Sequence, residues 1–262
     1  MNQPLAYVHP QAKIAANVVI EPFVTIHKNV EIGEGTWIGS NVTIMEGARI
    51  GKNCKIFPSA VVSAIPQDLK FEGEETTVEI GDNTIIREFV TINRGTKANN
   101  KTVVGDNCLL MAYVHIAHDC EIGNNCILAN AATLAGHIYI DDYAIIGGLS
   151  AIHQFVNIGK HSMISGGSLV RKDVPPFTKA ARDPLSFVGI NSIGLRRRGF
   201  SNKKINEIQD IYRILYLKRY NVSKAISIIE TEVPSTPERD EIIAFINNST
   251  RGIMKGYTSN DK

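Results

Sequence analysis

The sequence is poor in the features that mark a disulfide scaffold, a membrane protein or a nucleic-acid binder. Only four of its 262 residues are cysteines, and none stands in a CxxC pair, which excludes a zinc knuckle and a disulfide-rich fold. No apolar run approaches the roughly 20 residues that span a bilayer, and the amino terminus lacks the pattern of a signal peptide. The net charge of +2 indicates no basic surface for nucleic acid. These absences predict a soluble cytoplasmic protein with no membrane span and no nucleic-acid partner.

What the sequence has in abundance is a six-residue period. From Val8 to Val170, every sixth position is Ile, Leu or Val in 25 of 28 cases, and the exceptions are Asp68, Glu74 and Ala98. Neither an α-helix, which repeats every 3.6 residues, nor a simple strand, which alternates every two, has this period. A chain that turns every six residues closes a triangular coil every 18, and such coils stack at the strand separation of about 4.8 Å.

The positions around each aliphatic residue also indicate a β-helix. Two residues earlier the side chain is usually small, and all four cysteines fall at this position: Cys54, Cys108, Cys120 and Cys126. We expect these thiols to pack inside the coil rather than to react. Glycine often follows the aliphatic residue, as at Gly33 and Gly51, where we expect the corner to need a residue free of Cβ strain. The pattern predicts a mainly β protein with a parallel β-helix over residues 1–184.

Two stretches, residues 63–79 and 93–102, interrupt the period without shifting its phase. Loops on a rigid solenoid often carry binding residues, although a harmless surface excursion is the alternative interpretation. After Val170 the hexads end, and residues 185–262 are predicted to form a C-terminal helical domain.

Three helices are predicted within this C-terminal domain. Ser201 can cap the first helix, and a second helix is expected near residues 222–231. The third should begin at Ser235 or Thr236, with Pro237 as its first helical residue.

A group of histidines is the strongest candidate for a functional site. Four of the seven lie close together in the coil: His115, His118, His137 and His153. At a period of 18, His118, Gly136 and Gln154 share one column, and Asp119 lies one coil below His137. One interpretation is general-base catalysis by an imidazole that Asp119 orients, with a backbone N–H near Gly136 stabilising an oxyanion. The other is a three-histidine zinc site that activates water, as in the β-helical carbonic anhydrases.

Six strings resemble the UDP-N-acetylglucosamine O-acyltransferase family over essentially the whole chain. They are IPQDLKF at 65–71, TINRGT at 91–96, HIAHDC at 115–120, LAGH at 134–137, HQF at 153–155 and GLRRRGFS at 194–201. The resemblance implies a left-handed parallel β-helix with a C-terminal α-helical domain. It implies transfer of an (R)-3-hydroxyacyl chain from acyl carrier protein to the 3-hydroxyl of UDP-N-acetylglucosamine, the first step of lipid A biosynthesis. A cytoplasmic homotrimer is implied as well, with sites between neighbouring β-helices, no metal, and no cofactor beyond the carrier thioester as co-substrate.

The resemblance also implies roles for individual residues. The general base would be His118, which Asp119 would orient, while the Gly136 N–H would support the oxyanion. Nucleotide, sugar or acyl-carrier groups would be held by Asp68, Lys70, His115, His137, His153, Gln154, Asn191, Arg197 and Arg198. Gly166 matches a position that sets acyl-chain length, and a glycine there would leave room for a long chain.

A locally basic segment between residues 195 and 219 predicts a contact with an acidic partner. Its basic residues are Arg196, Arg197, Arg198, Lys203, Lys204, Arg213, Lys218 and Arg219. Against them stand only Glu207 and Asp210. An acidic acyl carrier protein is the expected partner, and a solvated basic helix face is the alternative.

Overall fold

The protein is a three-sided parallel coil followed by helices, as seen in a computed structural model that describes residues 4–218 and 220–256. Each side of the coil is a sheet of short strands from successive turns, joined in parallel. We call the three sides face 1, face 2 and face 3, in the order in which the chain visits them. The first corner joins faces 1 and 2, the second joins faces 2 and 3, and the third returns the chain to face 1.

The strand bounds follow the predicted six-residue step. Within the described ranges, the strands of face 1 are Tyr7–Val8, Thr25–Ile26, Thr43–Ile44, Val61–Ala64, Thr91–Asn93, His115–Ile116, Thr133–Leu134, Ala151–Ile152 and Leu169–Val170. Those of face 2 are Lys13–Ile14, Glu31–Ile32, Ala48–Ile50, Thr77–Ile80, Lys101–Val104, Glu121–Ile122, Tyr139–Ile140 and Asn157–Ile158. Those of face 3 are Val19–Ile20, Trp37–Ile38, Lys55–Ile56, Ile85–Ile86, Leu109–Leu110, Ile127–Leu128, Ile145–Ile146, Met163–Ile164, Thr178–Ala181, Ser186–Ile190 and Lys255–Gly256.

The interior of the coil is filled by the periodic aliphatic residues. From Ile20 to Val170 these side chains are buried in one continuous core, while Val8 and Ile14 are half-buried against it. The three exceptions to the period lie outside this core, since Asp68 and Glu74 are only half-buried and Ala98 is exposed. All four cysteines are free and buried, which confirms their predicted packing role.

The glycines that follow the aliphatic residues serve close stacking rather than a special backbone conformation. A Cβ on Gly33 would lie 2.7 Å from the carbonyl carbon of Gly51 in the next coil. Neither Gly33 nor Gly51 has a positive φ. The expectation that glycine is needed there to avoid Cβ strain in the backbone was therefore wrong. Left-handed φ angles occur later in the corners, at residues such as Asn41 and Asn53, where asparagine is better tolerated than most side chains.

The strands extend into both segments that were predicted to be loops. Residues 63–64 and 77–79 of the first segment continue the strands on either side, because their backbones pair with neighbouring coils. Asn93, Lys101 and Thr102 of the second segment are likewise in strands. The irregular parts are therefore residues 65–76, here called loop 1, and residues 94–100, here called loop 2.

Four helices follow the coil in the described part of the chain: α1 (Ser192–Arg197), α2 (Asn202–Leu217), α3 (Val222–Glu232) and α4 (Pro237–Asn248). Ser201, Asn221 and Thr236 cap α2, α3 and α4, which confirms the three predicted helices. The short helix α1 was not predicted. None of these helices, within the ranges the structure describes, combines the length and apolarity needed to cross a bilayer.

A strand hairpin joins the coil to the helices. Ser186–Ile190, at the start of the segment predicted to be helical, pairs antiparallel with Thr178–Ala181 and so continues face 3. Tyr212 of α2 then fastens the helices to the coil, since its hydroxyl donates to the carbonyl of Pro176 over 2.6 Å. The helices share a second apolar core with Phe177 from the last corner.

Candidate active site

His118 and Asp119 form a buried pair at the first corner of the coil. Nδ1 of His118 lies 2.7 Å from Oδ2 of Asp119, and the Asp119 side chain is fully buried. Asp119 has a φ of 59°, a left-handed conformation that aspartate tolerates better than most residues. In the neutral imidazole, a proton on Nδ1 that donates to the carboxylate leaves Nε2 as an acceptor. The pair therefore presents a nitrogen that can take a proton.

Loop 2 surrounds the carboxylate of Asp119 with hydrogen-bond donors. The backbone N–H of Thr96 donates to Oδ1 over 2.9 Å, and the Thr96 hydroxyl donates to Oδ2 over 2.7 Å. The Asn99 N–H adds a longer bond of 3.3 Å to Oδ1. Burial raises the pKa of Asp119, but the hydrogen bonds from His118 and Thr96 outweigh it and hold the pKa below its usual range. The carboxylate is therefore ionised and fixed in place.

Gly136 lies directly against the imidazole of His118. A Cβ at this glycine would come within 2.7 Å of Cε1 and 2.8 Å of Nε2. The neighbouring N–H groups of Ala135 and His137 donate to carbonyls of adjacent coils. Within the described ranges no backbone carbonyl accepts the Gly136 N–H, so this donor is free for a ligand.

His137 forms the second wall of the site. Its ring meets that of His118 edge-on at a centroid distance of 5.1 Å and stacks on Phe155 at 4.8 Å. Burial lowers the pKa of His137, while the negative charges of Asp119 and Asp68 act in the opposite direction. Nε2 of His137 is 3.6 Å from Oδ2 of Asp119. A mostly neutral ring therefore stands beside the His118–Asp119 pair.

Two further histidines border the same corner from face 1. His115 contacts the Thr91 hydroxyl through Nδ1 at 2.8 Å, and burial lowers its pKa. His153 is exposed, and its Nδ1 donates to the Gln154 carbonyl over 3.1 Å. Gln154 is half-buried in the column above Gly136. The structure thus brings the predicted column and the four histidines to one region.

Loop 1 brings Asp68 towards this corner. The charge of Asp68 acts on His137, and its Oδ1 accepts the Lys70 N–H over 3.0 Å, which fixes the turn. Lys70 itself is exposed. Asn93, to which the sequence assigned no role, donates from Nδ2 to the Ile65 carbonyl over 3.0 Å and so ties loop 1 to the coil.

The structure does not bring Asn191, Arg197 and Arg198 to the first corner. Asn191 caps α1 and donates from Nδ2 to the His161 carbonyl, so its side chain is occupied within the chain. Arg198 donates to the Tyr143 carbonyl over 3.0 Å at the second corner. Arg197 is exposed and borders a cavity of about 500 Å³ beside face 3. These residues lie one side of the triangle away from His118.

Gly166 lies at the third corner, again away from His118. A Cβ there would come within 3.0 Å of the Gly148 carbonyl oxygen, so the two glycines stack closely on successive coils. The single chain therefore distributes the predicted site residues over three corners.

The basic segment is partly neutralised. Lys204 pairs with Glu238 at 2.7 Å and Arg213 pairs with Asp210 at 2.8 Å. The side chains that stay exposed include Arg196, Arg197, Lys203 and Lys218. Arg219, which the sequence assigned to this surface, lies outside the described residues.

The site contains one group with ligand atoms close enough for a metal ion. Atoms of His118, Asp119 and His137 lie within 4.8 Å of one another. Both oxygens of Asp119 already accept hydrogen bonds, however, and Nδ1 of His118 is committed to one of them. A metal at this position would have to displace those bonds, so the donor set suits proton transfer better than metal binding.

Comparison with known proteins agrees with the strings noted in the sequence. A family described as Udp N-acetylglucosamine O-acyltransferase, domain 2, matches residues 173–254, and the bacterial transferase hexapeptide family matches residues 101–136. The GMPPB C-terminal domain family matches residues 2–103.

Acyl-[acyl-carrier-protein]–UDP-N-acetylglucosamine O-acyltransferase of Myxococcus xanthus is 47% identical over 253 residues, 96% of this chain and 98% of the relative. Its counterpart from Thiobacillus denitrificans is 43% identical over 253 residues, which again are 96% of this chain and 98% of the relative. The chain belongs to the UDP-N-acetylglucosamine O-acyltransferase family.

Solved structures of this family have the same fold. The UDP-N-acetylglucosamine acyltransferase of Bacteroides fragilis is 55% identical and superposes with a TM-score of 0.96, covering 97% of this chain and all of that one. The enzyme of Francisella novicida is 42% identical with a TM-score of 0.96, covering 99% of this chain and 96% of that one. The predicted left-handed parallel β-helix with C-terminal helices is therefore confirmed. Family membership also disfavours the carbonic anhydrase interpretation of the histidine group.

Sequence reasoning missed Thr96 and Asn99 as parts of the site. Thr96 stands in the string TINRGT, but half of its contact with Asp119 comes from a backbone N–H, which any residue except proline carries. No spacing rule predicts the folded path of an irregular loop, although loop 2 leaves the coil at the same corner one turn before Asp119. The fold was needed to find this contact.

Proposed function

We propose that this protein transfers an (R)-3-hydroxyacyl chain from acyl carrier protein to the 3-hydroxyl of UDP-N-acetylglucosamine, with His118 as general base. The observation that carries this proposal is the 2.7 Å contact between His118 Nδ1 and Asp119, which leaves Nε2 beside Gly136. Family membership supports the two substrates, since the curated relatives are named for O-acylation of UDP-N-acetylglucosamine by acyl-[acyl-carrier-protein]. The reaction would be the first step of lipid A biosynthesis.

The proposed mechanism needs one base and one oxyanion donor. Nε2 of His118 takes the proton of the sugar 3-hydroxyl as the hydroxyl oxygen attacks the thioester carbonyl carbon. The resulting oxyanion accepts the free N–H of Gly136, and Asp119 stabilises the imidazolium. Collapse of the intermediate breaks the C–S bond, and the imidazolium returns the proton to the departing thiolate. The products are the ester and the carrier thiol.

The substrate contacts are proposed for the residues that border the first corner and loop 1. Asp68 and Lys70 lie on loop 1, His137, His153 and Gln154 lie at the first corner, and together they would hold the sugar nucleotide. His115 lies at the same edge. Their mixture of donors and acceptors suits hydroxyl and amide groups better than an acyl chain.

A homotrimer is proposed because one chain leaves the site incomplete. His118 lies at the first corner, while Arg198 contacts the second corner and Gly166 lies at the third. Assembly about a threefold axis would place a different corner of a neighbouring chain opposite His118. It would also cover the exposed side of the first corner with residues of that neighbouring chain. Arg197, Arg198 and Asn191 could then act on the nucleotide or carrier, and Gly166 on acyl-chain length.

Acyl carrier protein is the proposed protein partner, and the cytoplasm is the proposed location. The exposed Arg196, Arg197, Lys203 and Lys218 would meet an acidic carrier. Four free cysteines, with Cys108 and Cys126 one coil apart, are typical of a reducing compartment.

Mass spectrometry of the reaction product tests this function. Wild-type protein is incubated with UDP-N-acetylglucosamine and a mixed pool of hydroxyacyl carrier proteins, and His118→Ala serves as the matched control. We expect a single ester product whose mass reports the chain length, and less than a few per cent of that rate from the variant. Full activity of His118→Ala would rule out the assigned base.

A metal assay separates this function from the zinc alternative. Protein purified without chelators is analysed for zinc, and turnover is measured before and after dialysis against a chelator. We expect unchanged acyl transfer in both samples. Stoichiometric zinc in a protein that shows no acyl transfer would favour metal-activated water instead.

A further inference from the structure

Thr96 of loop 2 contacts both oxygens of the Asp119 carboxylate. Its N–H donates to Oδ1 over 2.9 Å, and its hydroxyl donates to Oδ2 over 2.7 Å. Thr96 is itself buried, so water does not replace these bonds readily. Two bonds to different oxygens of one planar group fix its rotation about the Cβ–Cγ bond.

The rotation of this carboxylate determines which of the two neighbouring histidines forms a hydrogen bond with it. Oδ2 of Asp119 is 2.7 Å from His118 Nδ1 and 3.6 Å from His137 Nε2. Rotation of the carboxylate about the Cβ–Cγ bond would change both distances. The Thr96 hydroxyl binds the same oxygen as His118 and therefore holds Oδ2 in the orientation that favours His118.

Loop 2 is built to keep Thr96 in this position. The Thr96 hydroxyl accepts the Ala98 N–H over 3.2 Å, and the Thr96 carbonyl accepts the Asn100 N–H over 2.7 Å. The loop is fastened to the coil through Thr76, whose hydroxyl donates to the Gly95 carbonyl over 2.6 Å. The Thr96 donors thus approach Asp119 from a backbone that is itself held on both sides.

We propose that Thr96 is a positioning residue that acts through Asp119 to orient His118 for proton transfer. This inference rests on the proposed function, because the proton is that of the acceptor hydroxyl. Thr96 touches neither reacting group, so its removal should slow turnover without weakening substrate binding. His118 would still be present but would be directed less accurately at the hydroxyl.

Two substitutions at Thr96 and one control test this role by steady-state kinetics and thermal unfolding. Thr96→Val keeps the shape and the N–H but removes the hydroxyl, and Thr96→Ser restores the hydroxyl. We expect Thr96→Val to lower kcat about tenfold with KM for UDP-N-acetylglucosamine changed less than about twofold. We expect Thr96→Ser to stay within about twofold of wild type on the same grounds.

Thr76→Val is the matched control for a purely structural effect. It removes a buried hydroxyl that supports the same loop but does not contact Asp119. We expect a lower melting temperature and a smaller loss of kcat than in Thr96→Val, because both Thr96 donors to Asp119 remain. Equal losses of kcat in Thr76→Val and Thr96→Val, or wild-type kcat in Thr96→Val, would overturn the inference.

A double-variant experiment shows whether Thr96 acts through Asp119. In an Asp119→Ala background, adding Thr96→Val should change kcat less than about twofold, since no carboxylate is left to position. A further tenfold loss in that background would overturn the inference. The function itself is tested in parallel by wild type and His118→Ala. Active wild type, inactive His118→Ala and fully active Thr96→Val would overturn the positioning role alone, whereas inactive wild type would overturn both.

Discussion

Gly136 and the imidazole of His118 are packed so closely that a Cβ at residue 136 would lie 2.7 Å from Cε1. The imidazole is also held by the 2.7 Å bond from Nδ1 to Asp119. The space between the two coils at this corner therefore admits the ring only if residue 136 has no side chain. The same glycine contributes the free N–H proposed for the oxyanion.

The first prediction concerns Gly136→Ala. The new methyl group would push the His118 ring away from its bond with Asp119, and kcat should fall by about 100-fold or more, as when an oriented catalytic group is misplaced. The colliding atoms belong to a side chain, so the fold should survive. Kinetics and circular dichroism on the same sample check both points. Wild-type turnover in this variant would contradict the assigned geometry.

The second prediction concerns the pH dependence of stability through Asp119. Burial raises the pKa of Asp119, but the hydrogen bonds from His118 and Thr96 lower it by more than burial raises it. The folded pKa therefore lies below the unfolded value of about 3.9. The ionised carboxylate therefore stabilises the fold fully above pH 3.9, and this contribution is lost as the pH falls through the folded pKa. Urea unfolding of wild type and Asp119→Asn from pH 7 to pH 3 measures it. We expect a difference of about 2 kcal/mol at pH 7 that shrinks at the acid end.

A difference between wild type and Asp119→Asn that stays constant down to pH 3 would contradict this prediction. Thr102→Val, which removes the acceptor of the Asp119 backbone N–H and leaves the carboxylate intact, is a suitable comparison. Its effect on the unfolding free energy should not depend on pH in this range.

The third prediction concerns His161 at the second corner. Its ring stacks on Tyr143 at 4.8 Å and on Phe177 at 5.7 Å. Burial, followed by the positive charge of Arg198, lowers the pKa of His161 to about 4. The unfolded chain binds this proton near pH 6.5, so the unfolding free energy should decrease as the pH falls from 6.5 to 4. Two-dimensional NMR of the ring should show titration well below pH 6.

The control for the third prediction is His161→Phe. It keeps an aromatic ring between Tyr143 and Phe177 but has no titratable nitrogen, so the part of the pH dependence that belongs to residue 161 should disappear. Titration of the wild-type ring near pH 6.5 would show that Arg198 and burial do not act on it as described.

The fourth prediction concerns the stacking glycines. Gly33→Ala would bring a Cβ within 2.7 Å of backbone atoms of Gly51, and backbone moves less readily than a side chain. We expect a loss of about 1–3 kcal/mol in the unfolding free energy, measured by urea denaturation. Glu34→Ala, at the exposed neighbouring position, should change it by less than about 1 kcal/mol. Equal effects would contradict the close-stacking explanation.

The coil could be predicted from the sequence because each turn repeats the same pattern of buried aliphatic residues. A buried Ile every six residues predicts where the strands lie, and the 18-residue register predicts that His118 and Gly136 are stacked. The capped helices were predictable as well, since Ser201 and Thr236 carry their own local signals. The six-residue helix α1 has too few residues to show a period.

The rest of the site depends on contacts that do not repeat. Loop 2 leaves the coil and returns, and only its folded path brings Thr96 to Asp119. The family resemblance placed Asn191 and Arg198 in one site with His118, but one chain holds them at different corners. Their joint action requires an assembly, and no periodic pattern in a single sequence describes a neighbouring subunit.

The C-terminal segment pairs with the backbone at the end of the coil, and this pairing protects the protein against aggregation. Met254 donates its N–H to the Asp173 carbonyl over 2.9 Å, and Lys255–Gly256 pairs with Ser186–Ile190 at the edge of face 3. A stack of flat coils would otherwise end in a row of unpaired amides and carbonyls, which recruits strands from other molecules. Chains shortened before α2 should therefore precipitate more readily than the full chain, because Asp173 and Ser186–Ile190 would lose these backbone partners, and light scattering of the two proteins measures the difference.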